Sequence, residues 1–472
     1  MNPEHRRGRL MGNRCMGKVF RDAVVALEQA GHRVCILHGY GDYPDHIRSD
    51  IDAISEDATQ IPRILSRHET VAVVQAIHTQ PTAALWYVLH KWCGDKPVFV
   101  RLHVFYRDYR LNGRVFFKGE EFVESCRKFK FFKVPPPALE FAAYLVKKAA
   151  KGSLDEIQGE RLSELYSEDS TGCRQYLARL LPEAEAKGVA GAAQSGDWEA
   201  VRNQIEHLYR EMIGKVDRKQ PLKVLRNQLH DNSERIRRAV QPPGLLVAFL
   251  GVDGAGKSTV MANVERDLAP AFWSTKQYHG RALDSPLRWT KRVRVARQLR
   301  EQEVERAATN PHALPPARNP HNKSPRRLTL SLIKLGLWWA DYTFLGYLVD
   351  IYPRLRRSTL VLFDRYYQDL LVDPKRHRYG GPLWLARLVS RFFPRPDVIV
   401  LLDAPPEVLH SRKREVPLEE TARQREAFLE LVRKSRSGHV VDASRPVHEV
   451  VAEAEQIIIE HLAARTMRRL KL

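Results

Sequence analysis

The run Gly251-Val252-Asp253-Gly254-Ala255-Gly256-Lys257-Ser258-Thr259 has the spacing G-x-x-x-x-G-K-[ST]. Each residue type in it answers a physical need. Glycines let the backbone curl until successive N–H groups face one anion. A helix starting at Lys257 aims its positive end at the same point. The Lys257 ammonium can reach β- and γ-phosphates, and the Ser258 hydroxyl can ligate Mg²⁺. An apolar run of strand length, Leu245 to Leu250, comes immediately before, and an amphipathic helix pattern follows. This is the setting of a phosphate loop. It makes Gly251, Asp253, Gly254, Ala255, Gly256, Lys257, Ser258 and Thr259 nucleotide-binding positions, with ATP and Mg²⁺ as the expected cofactors.

A second group lies at Asp364-Arg365-Tyr366, directly after the apolar run Thr359 to Phe363. A carboxylate at the C-terminal end of a parallel strand points into the crevice where open α/β sheets bind ligands. Phosphoryl transfer needs positive groups around a spreading negative charge rather than covalent chemistry. Lys257, Asp364, Arg365 and Arg412 are therefore the catalytic candidates, and Ser258 with Asp364 the metal candidates. Lys413, Arg414, Arg423 and Arg425 are further cations in reach. The competing reading of each of these later arginines is a solvated helix face, and of Asp364-Arg365 a structural salt bridge. A third group is Asp50 and Asp52, whose i, i+2 spacing puts both carboxylates on one strand face, where they could hold Mg²⁺.

The elements around these groups suggest how they are positioned. Apolar strand runs at 245–250, 359–363 and 398–402 are parted by helical sequence, which predicts an α/β domain with a parallel sheet flanked by helices over 241–472. Gln241-Pro-Pro-Gly244 breaks the chain before it. Residues 137–232 are helical throughout by their three- and four-residue apolar spacing, giving a helical segment over 136–240. Residues 21–135 mix strands and helices: strands at 32–37 and 50–54, and a hairpin of 96–106 with 114–118 around Asn112-Gly113. Residues 1–20 read as a loose basic arm. Residues 291–327 are basic and proline-rich and read as a mobile insertion. The aromatic run Trp338, Trp339, Tyr342, Phe344 and Tyr347 reads mainly as core packing, with an acceptor or lipid pocket as the other option.

Residues 245–465 resemble the thymidylate kinase family. The likeness rests on the phosphate loop with Asp253, on Asp364-Arg365-Tyr366, on Arg395-Pro-Asp397 and Leu401-Leu-Asp403, on Arg412-Lys413 at the start of a lid, and on Val441-Asp-Ala-Ser-Arg445. The resemblance implies that Arg365 holds the acceptor's phosphate, that Asp364 works near the metal, and that the 441–445 backbone packs on adenine. In place of the family's Arg-Glu-Pro-Gly segment stands Tyr278-His-Gly-Arg-Ala-Leu-Asp-Ser-Pro286. Residues 367–381 are rich in polar, aromatic and basic groups. This pattern is closer to kinase-like proteins linked with bacterial surface polysaccharide assembly, so a sugar or glycan acceptor stands beside a nucleoside monophosphate. Leu37-His-Gly-Tyr40 followed by Ser49-Asp-Ile-Asp52 resembles the nucleotidyltransferase fold, an α+β domain with a helical half. That family's third carboxylate would fall on 98–105, where Arg101 and His103 stand instead. An active transferase, a degenerate or regulatory copy, and an acidic turn without chemistry all stay open.

The chain has 472 residues, 77 Lys plus Arg against 56 Asp plus Glu, and a formal charge of +21. Such a field attracts polyanions but selects none. No RNP motif, zinc finger or clear helix-turn-helix argues for nucleic acid. Five cysteines without CxxC or zinc spacing argue against disulfides and structural zinc and fit a cytoplasmic setting. Residues 328–352 carry Lys334, Asp341 and Asp350, so they read as a buried or interfacial helix, compatible with peripheral membrane contact but no transmembrane segment. No feature speaks to oligomeric state. The leading expectation is an ATP-dependent kinase. A non-enzymatic ATP switch and a basic nucleic-acid-binding protein are the alternatives.

Overall fold

The computed structural model describes residues 3–47, 50–67, 71–79, 84–280, 321 and 324–472, without the side chains of 3–12, 79, 234 and 345. The chain divides into two compact units, residues 1–240 with 463–472, and residues 241–462. The sequence reads 463–472 with the second unit, but they group with the first.

In the first unit the strands are β1 (Val34–Ile36), β2 (Ile51–Ser55), β3 (Ala72–Thr79), β4 (Ala84–Cys93), β5 (Lys96–Tyr106), β6 (Asp108–Leu111), β7 (Arg114–Lys118), β8 (Arg127–Phe129) and β9 (Phe132–Val134). Among the described residues they form a mixed sheet in the order β3-β4-β5-β2-β1-β9-β8 and a separate β6-β7 ribbon. The Asn112-Gly113 turn works as expected, with φ of +51° and +80°, the two left-handed residues that a tight hairpin requires. Its first strand is β6, however. β5 pairs instead with β4 and, in parallel, with β2. After β9 come the helices Pro137–Lys151, Glu156–Glu168, Ser170–Leu180, Glu183–Ser195, Glu199–Asn203, Ile205–Lys219 and Pro221–Val240. Their apolar faces bury Phe141, Leu162, Leu177, Trp198 and Met212 together.

Two further expectations for this unit are corrected. Residues 3–29 form a helix, not a loose arm. Val19, Phe20, Ala23 and Leu27 are buried at helical spacing, and Phe20 packs edge-on against Tyr43 and Phe132 at 5.5 Å. This apolar stripe begins only near Met16, so the basic first half hides it. Cys15 and Cys93 are disulfide-bonded, their Cα atoms 6.4 Å apart. The helix packs beside β4, and a 78-residue separation gives no sign of that pairing in the sequence.

The second unit has the predicted α/β form. Its strands are β10 (Leu245–Leu250), β11 (Ser274–His279), β12 (Thr359–Asp364), β13 (Val398–Asp403) and β14 (Gly438–Asp442). They run parallel in the order β11-β12-β10-β13-β14. β10 is buried along its whole length, as a central parallel strand covered on both faces must be. The edge strands β11 and β14 are polar and partly exposed, which is why they lack the apolar signal of the inner three.

Helix Leu328–Ala340 continues as a π-helix, Asp341–Ile351. Its aromatics are only partly core: Tyr342 is buried between Tyr366 and Phe393, whereas Leu337, Trp339 and Phe344 are exposed. No helix among the described residues is long and apolar enough to cross a membrane. The predicted insertion at 291–327 lies outside the described residues except for 321 and 324–327, as does 281–286.

Candidate active site

β10 ends at Leu250, and the chain turns at once through 251–256 into the helix Lys257–Leu268. The turn needs glycine. Gly251 has φ +145° and Gly254 φ +88°, and a Cβ at either would lie 2.6 Å from a backbone oxygen, of Leu402 and Leu409 respectively. Lys257 is buried. Its ammonium donates to the Gly251 carbonyl at 2.9 Å and the Val252 carbonyl at 3.0 Å, closing the loop on itself. Burial first, and the nearby charge of Arg365 second, lower its pKa to about 8. Enclosing an ammonium costs the hydration of its charge, and an arriving triphosphate would offset that cost.

β12 lies beside β10, with Asp364 level with Phe249, so Asp364 and Arg365 arrive next to the loop. Arg365 donates its backbone N–H to the Phe249 carbonyl at 3.0 Å and holds φ at +66°, a left-handed conformation uncommon for a side chain this large. Ser258 Oγ lies 3.5 Å from Asp364 Oδ2, and His279 Nδ1 lies 3.2 Å from the same oxygen. Asp364 Oδ1 is buried without a hydrogen-bond partner among the described residues. Burial pushes the Asp364 carboxyl up, but the His279 hydrogen bond and the charges of Lys257 and Arg365 outweigh it and leave the pKa below the ordinary value. An ionised carboxylate with a spare oxygen, next to a serine hydroxyl, is a donor set suited to a hard divalent cation such as Mg²⁺.

Asp253 projects from the loop to meet two guanidiniums, of Arg365 and Arg376. Burial opposes its ionisation, yet Arg365 above all, with Arg376 and Lys257, holds its pKa well below the carboxylate range. Arg365 also reaches Asp369 at 3.2 Å, which faces His377 at the same distance. Arg376 bonds to Glu415 at 3.1 Å and is braced by Asp373. Asp373 belongs to a cluster with His321 and Glu420 whose ligand atoms lie within 4.8 Å of one another. Those carboxylates are already engaged by Arg376, Gln424 and Arg423.

Arg412 packs its Cβ close to Gly254 and donates to the Ala443 carbonyl at 2.9 Å. It therefore joins the loop to the 441–445 segment. The later arginines serve mainly structure. Arg425 grips Asp403 with two 2.8 Å bonds, and Arg423 pairs with Glu420 and the Val372 carbonyl. Sequence reasoning passed over Arg376, Glu415, Asp369, His279 and His377 as site residues. For Asp369, Arg376 and His377 the usable signal was the polar, basic character of 367–381.

In the first unit Asp50 and Asp52 flank Ile51 on β2, but each faces cations. Asp52 accepts from His103 Nδ1 at 2.9 Å and Lys147 Nζ at 2.7 Å, with His38 Nε2 3.2 Å away. Asp50 lies 2.8 Å from Arg101 Nε. Burial raises the Asp52 pKa, but hydrogen bonds from His103 and His38 and the charge of Lys147 hold it far below normal. Burial, then Lys147, lowers His38 to about 4, so it is neutral. The ammonium of Lys147 sits on the carboxylate that the Asp-x-Asp spacing offers to Mg²⁺.

No protein-family model matches the chain. It is similar to the probable thymidylate kinase 1 of Saccharolobus solfataricus, 33% identical over 24% of this chain and 62% of that protein, so the match spans less than two thirds of that relative. It is 24% identical to the probable thymidylate kinase of Pyrobaculum aerophilum over 45% of this chain and 95% of the relative. It is 29% identical to the thymidylate kinase of Xanthomonas euvesicatoria pv. vesicatoria over 48% of this chain and 88% of the relative. About half of the chain is thus a thymidylate kinase-like region.

Proposed function

We propose that this thymidylate kinase-like region is a phosphotransferase, moving the γ-phosphoryl group of Mg·ATP to a phosphate-bearing acceptor of the nucleoside monophosphate class. The observation that carries this reading is the meeting of the loop with Asp364-Arg365: Ser258 lies 3.5 Å from Asp364, and Arg365 rests on the loop's own Asp253. A protein that only binds ATP needs the loop, its lysine and a metal partner. It has no further use for an arginine held against Asp253 of the loop. The names of the relatives support the same class.

The chain's own groups have distinct tasks. Loop N–H groups and the first turn of Lys257–Leu268 bind phosphate oxygens. Lys257 exchanges its two loop carbonyls for the triphosphate. Ser258 and Asp364 would hold Mg²⁺, which neutralises charge on the transferring group when bound. Arg365 binds the acceptor's phosphate, and Arg412 steadies the loop against the 441–445 segment on the adenine side. The polar segment 367–381, which suggested a sugar or glycan acceptor, sends Asp369, Asp373, Arg376 and His377 into this cluster. An ATP-fed reaction fits the cytoplasm, although the Cys15–Cys93 bond is unusual there.

The test is an ATP-consumption screen of the full chain over nucleoside monophosphates, sugars and sugar phosphates, followed by Lys257→Ala and Asp364→Ala on any hit. Both variants should lose turnover by about 10²-fold or more. Turnover that survives either change, or Mg·ATP binding with no acceptor consumed, would remove the kinase reading and leave the ATP switch.

A further inference from the structure

Two guanidiniums converge on one carboxylate in the second unit. Arg365 Nη2 meets Oδ1 of Asp253, and Arg376 Nη2 meets Oδ2. A carboxylate bridged in this way presents two anionic oxygens side by side, and a phosphate monoester makes the same demand on arginine. Each guanidinium is also held from behind. Arg365 leans on Asp369 at 3.2 Å. Arg376 leans on Glu415 at 3.1 Å, and its backbone N–H is fixed by Asp373 at 3.0 Å. Asp373 itself is held by His321 at 2.9 Å and Gln424 at 3.1 Å. Both arginine side chains remain 20% exposed, so a small ligand can reach them. Arg365 divides its charge between Asp253 and Asp369, and Arg376 divides its own between Asp253 and Glu415, so Asp253 is the acid on which the two forks meet.

We propose that Arg376 is the second arm of the acceptor clamp. With Arg365 it grips the acceptor's phosphate, and in the ligand-free protein Asp253 occupies the place that phosphate takes. This rests on the kinase reading above and deepens it by naming what selects the acceptor. Two positive forks match a phosphate dianion. An acceptor offering only hydroxyls would leave them on Asp253 and gain little. The clamp also makes Asp253 a competitor of the acceptor, so removing its charge should favour binding.

The test is calorimetry on the full chain with the donor site filled by a non-hydrolysable Mg·ATP analogue. The probes are inorganic phosphate and two matched pairs, thymidine with thymidine monophosphate and ribose with ribose 5-phosphate. Wild type should bind inorganic phosphate and at least one phosphorylated member of a pair, each in preference to its hydroxyl form. Arg376→Met should weaken phosphate binding by about tenfold or more, with Arg376→Lys, which keeps the charge but not the fork, in between. Asp253→Asn should tighten it by a few-fold. These opposite signs separate a clamp from a bridge, because breaking a purely structural pair disturbs the site alike from either side. The proposal is overturned if wild type binds no phosphate, if Arg376→Met stays within about threefold of wild type, or if Asp253→Asn weakens binding as well. Failure of the kinase reading would show separately, as an analogue that does not bind or ATP that no acceptor causes to be consumed.

Discussion

At the scale of single residues the most informative group is Lys257. It is buried, its ammonium held among the described residues by the Gly251 and Val252 carbonyls, and its pKa lies at about 8. A triphosphate binds the charged form. Below pH 8 the ammonium is already present, and affinity for Mg·ATP should be level. Above pH 8 each binding event must first take up a proton, so affinity should fall, by up to about tenfold per pH unit until the pKa of the complex is reached. Titrating a non-hydrolysable analogue from pH 6.5 to 9.5 would read this directly. Lys257→Arg should flatten the profile, since a guanidinium keeps its charge. A wild-type affinity constant across that range would contradict the account. Lys257 could be found from sequence because its partners lie within six residues, and a local spacing encodes the whole loop. Arg376 could not. Its partner Asp253 is 123 residues away, and the histidines that brace neighbouring acids have no fixed spacing to them.

At the scale of elements, one carboxylate ties four of them together. Asp52 on β2 meets His103 on β5, Lys147 on helix Pro137–Lys151 and His38 just after β1. The sequence showed the Asp-x-Asp spacing and the two basic residues facing it. It did not show Lys147, which reaches the acid from a helix 95 residues on. Asp52→Asn would strand that ammonium. The expected loss is about 2–3 kcal/mol in the first unit, somewhat less than for a fully enclosed pair. Because the folded pKa of Asp52 is depressed, this stabilisation is present above the unfolded value near 4 and lost as pH falls through the lower folded value. Denaturant unfolding at pH 7 and at pH 3 would compare the two proteins, with the gap closing at low pH. Adding Mg²⁺ alone should leave the first unit's midpoint unchanged, since Lys147 already occupies the acid. A clear rise with Mg²⁺ would restore the metal reading of Asp50 and Asp52. The same scale explains which strands were legible. β10, β12 and β13 are inner and apolar, while β11 and β14 are polar edges.

At the scale of the whole molecule, the first unit is completed by residues from the far end of the chain. β3 is an edge strand, and its pairing with β4 is interrupted at Val74, between Val73 and Gln75. Val74 is fully buried, so a carbonyl missing from the ladder there needs another donor. The Thr466 hydroxyl supplies it at 2.8 Å across 392 residues of sequence, and Met467 packs on the same core. No local pattern could announce this contact. The helix Val447–Leu470 is continuous, although its last residues group with a different unit from the rest. Thr466→Val keeps the shape and removes the donor. It should destabilise the first unit by about 1–2 kcal/mol, the penalty of an unsatisfied buried carbonyl. Affinity for Mg·ATP should stay within about twofold, because a ligand stabilises the unit that binds it. Hydrogen exchange would localise the loss. Faster exchange at β3 and β4 with unchanged protection of β10 and β12 is the expected result. Equal loss in both sheets would mean that Thr466 supports the phosphate-loop unit as well.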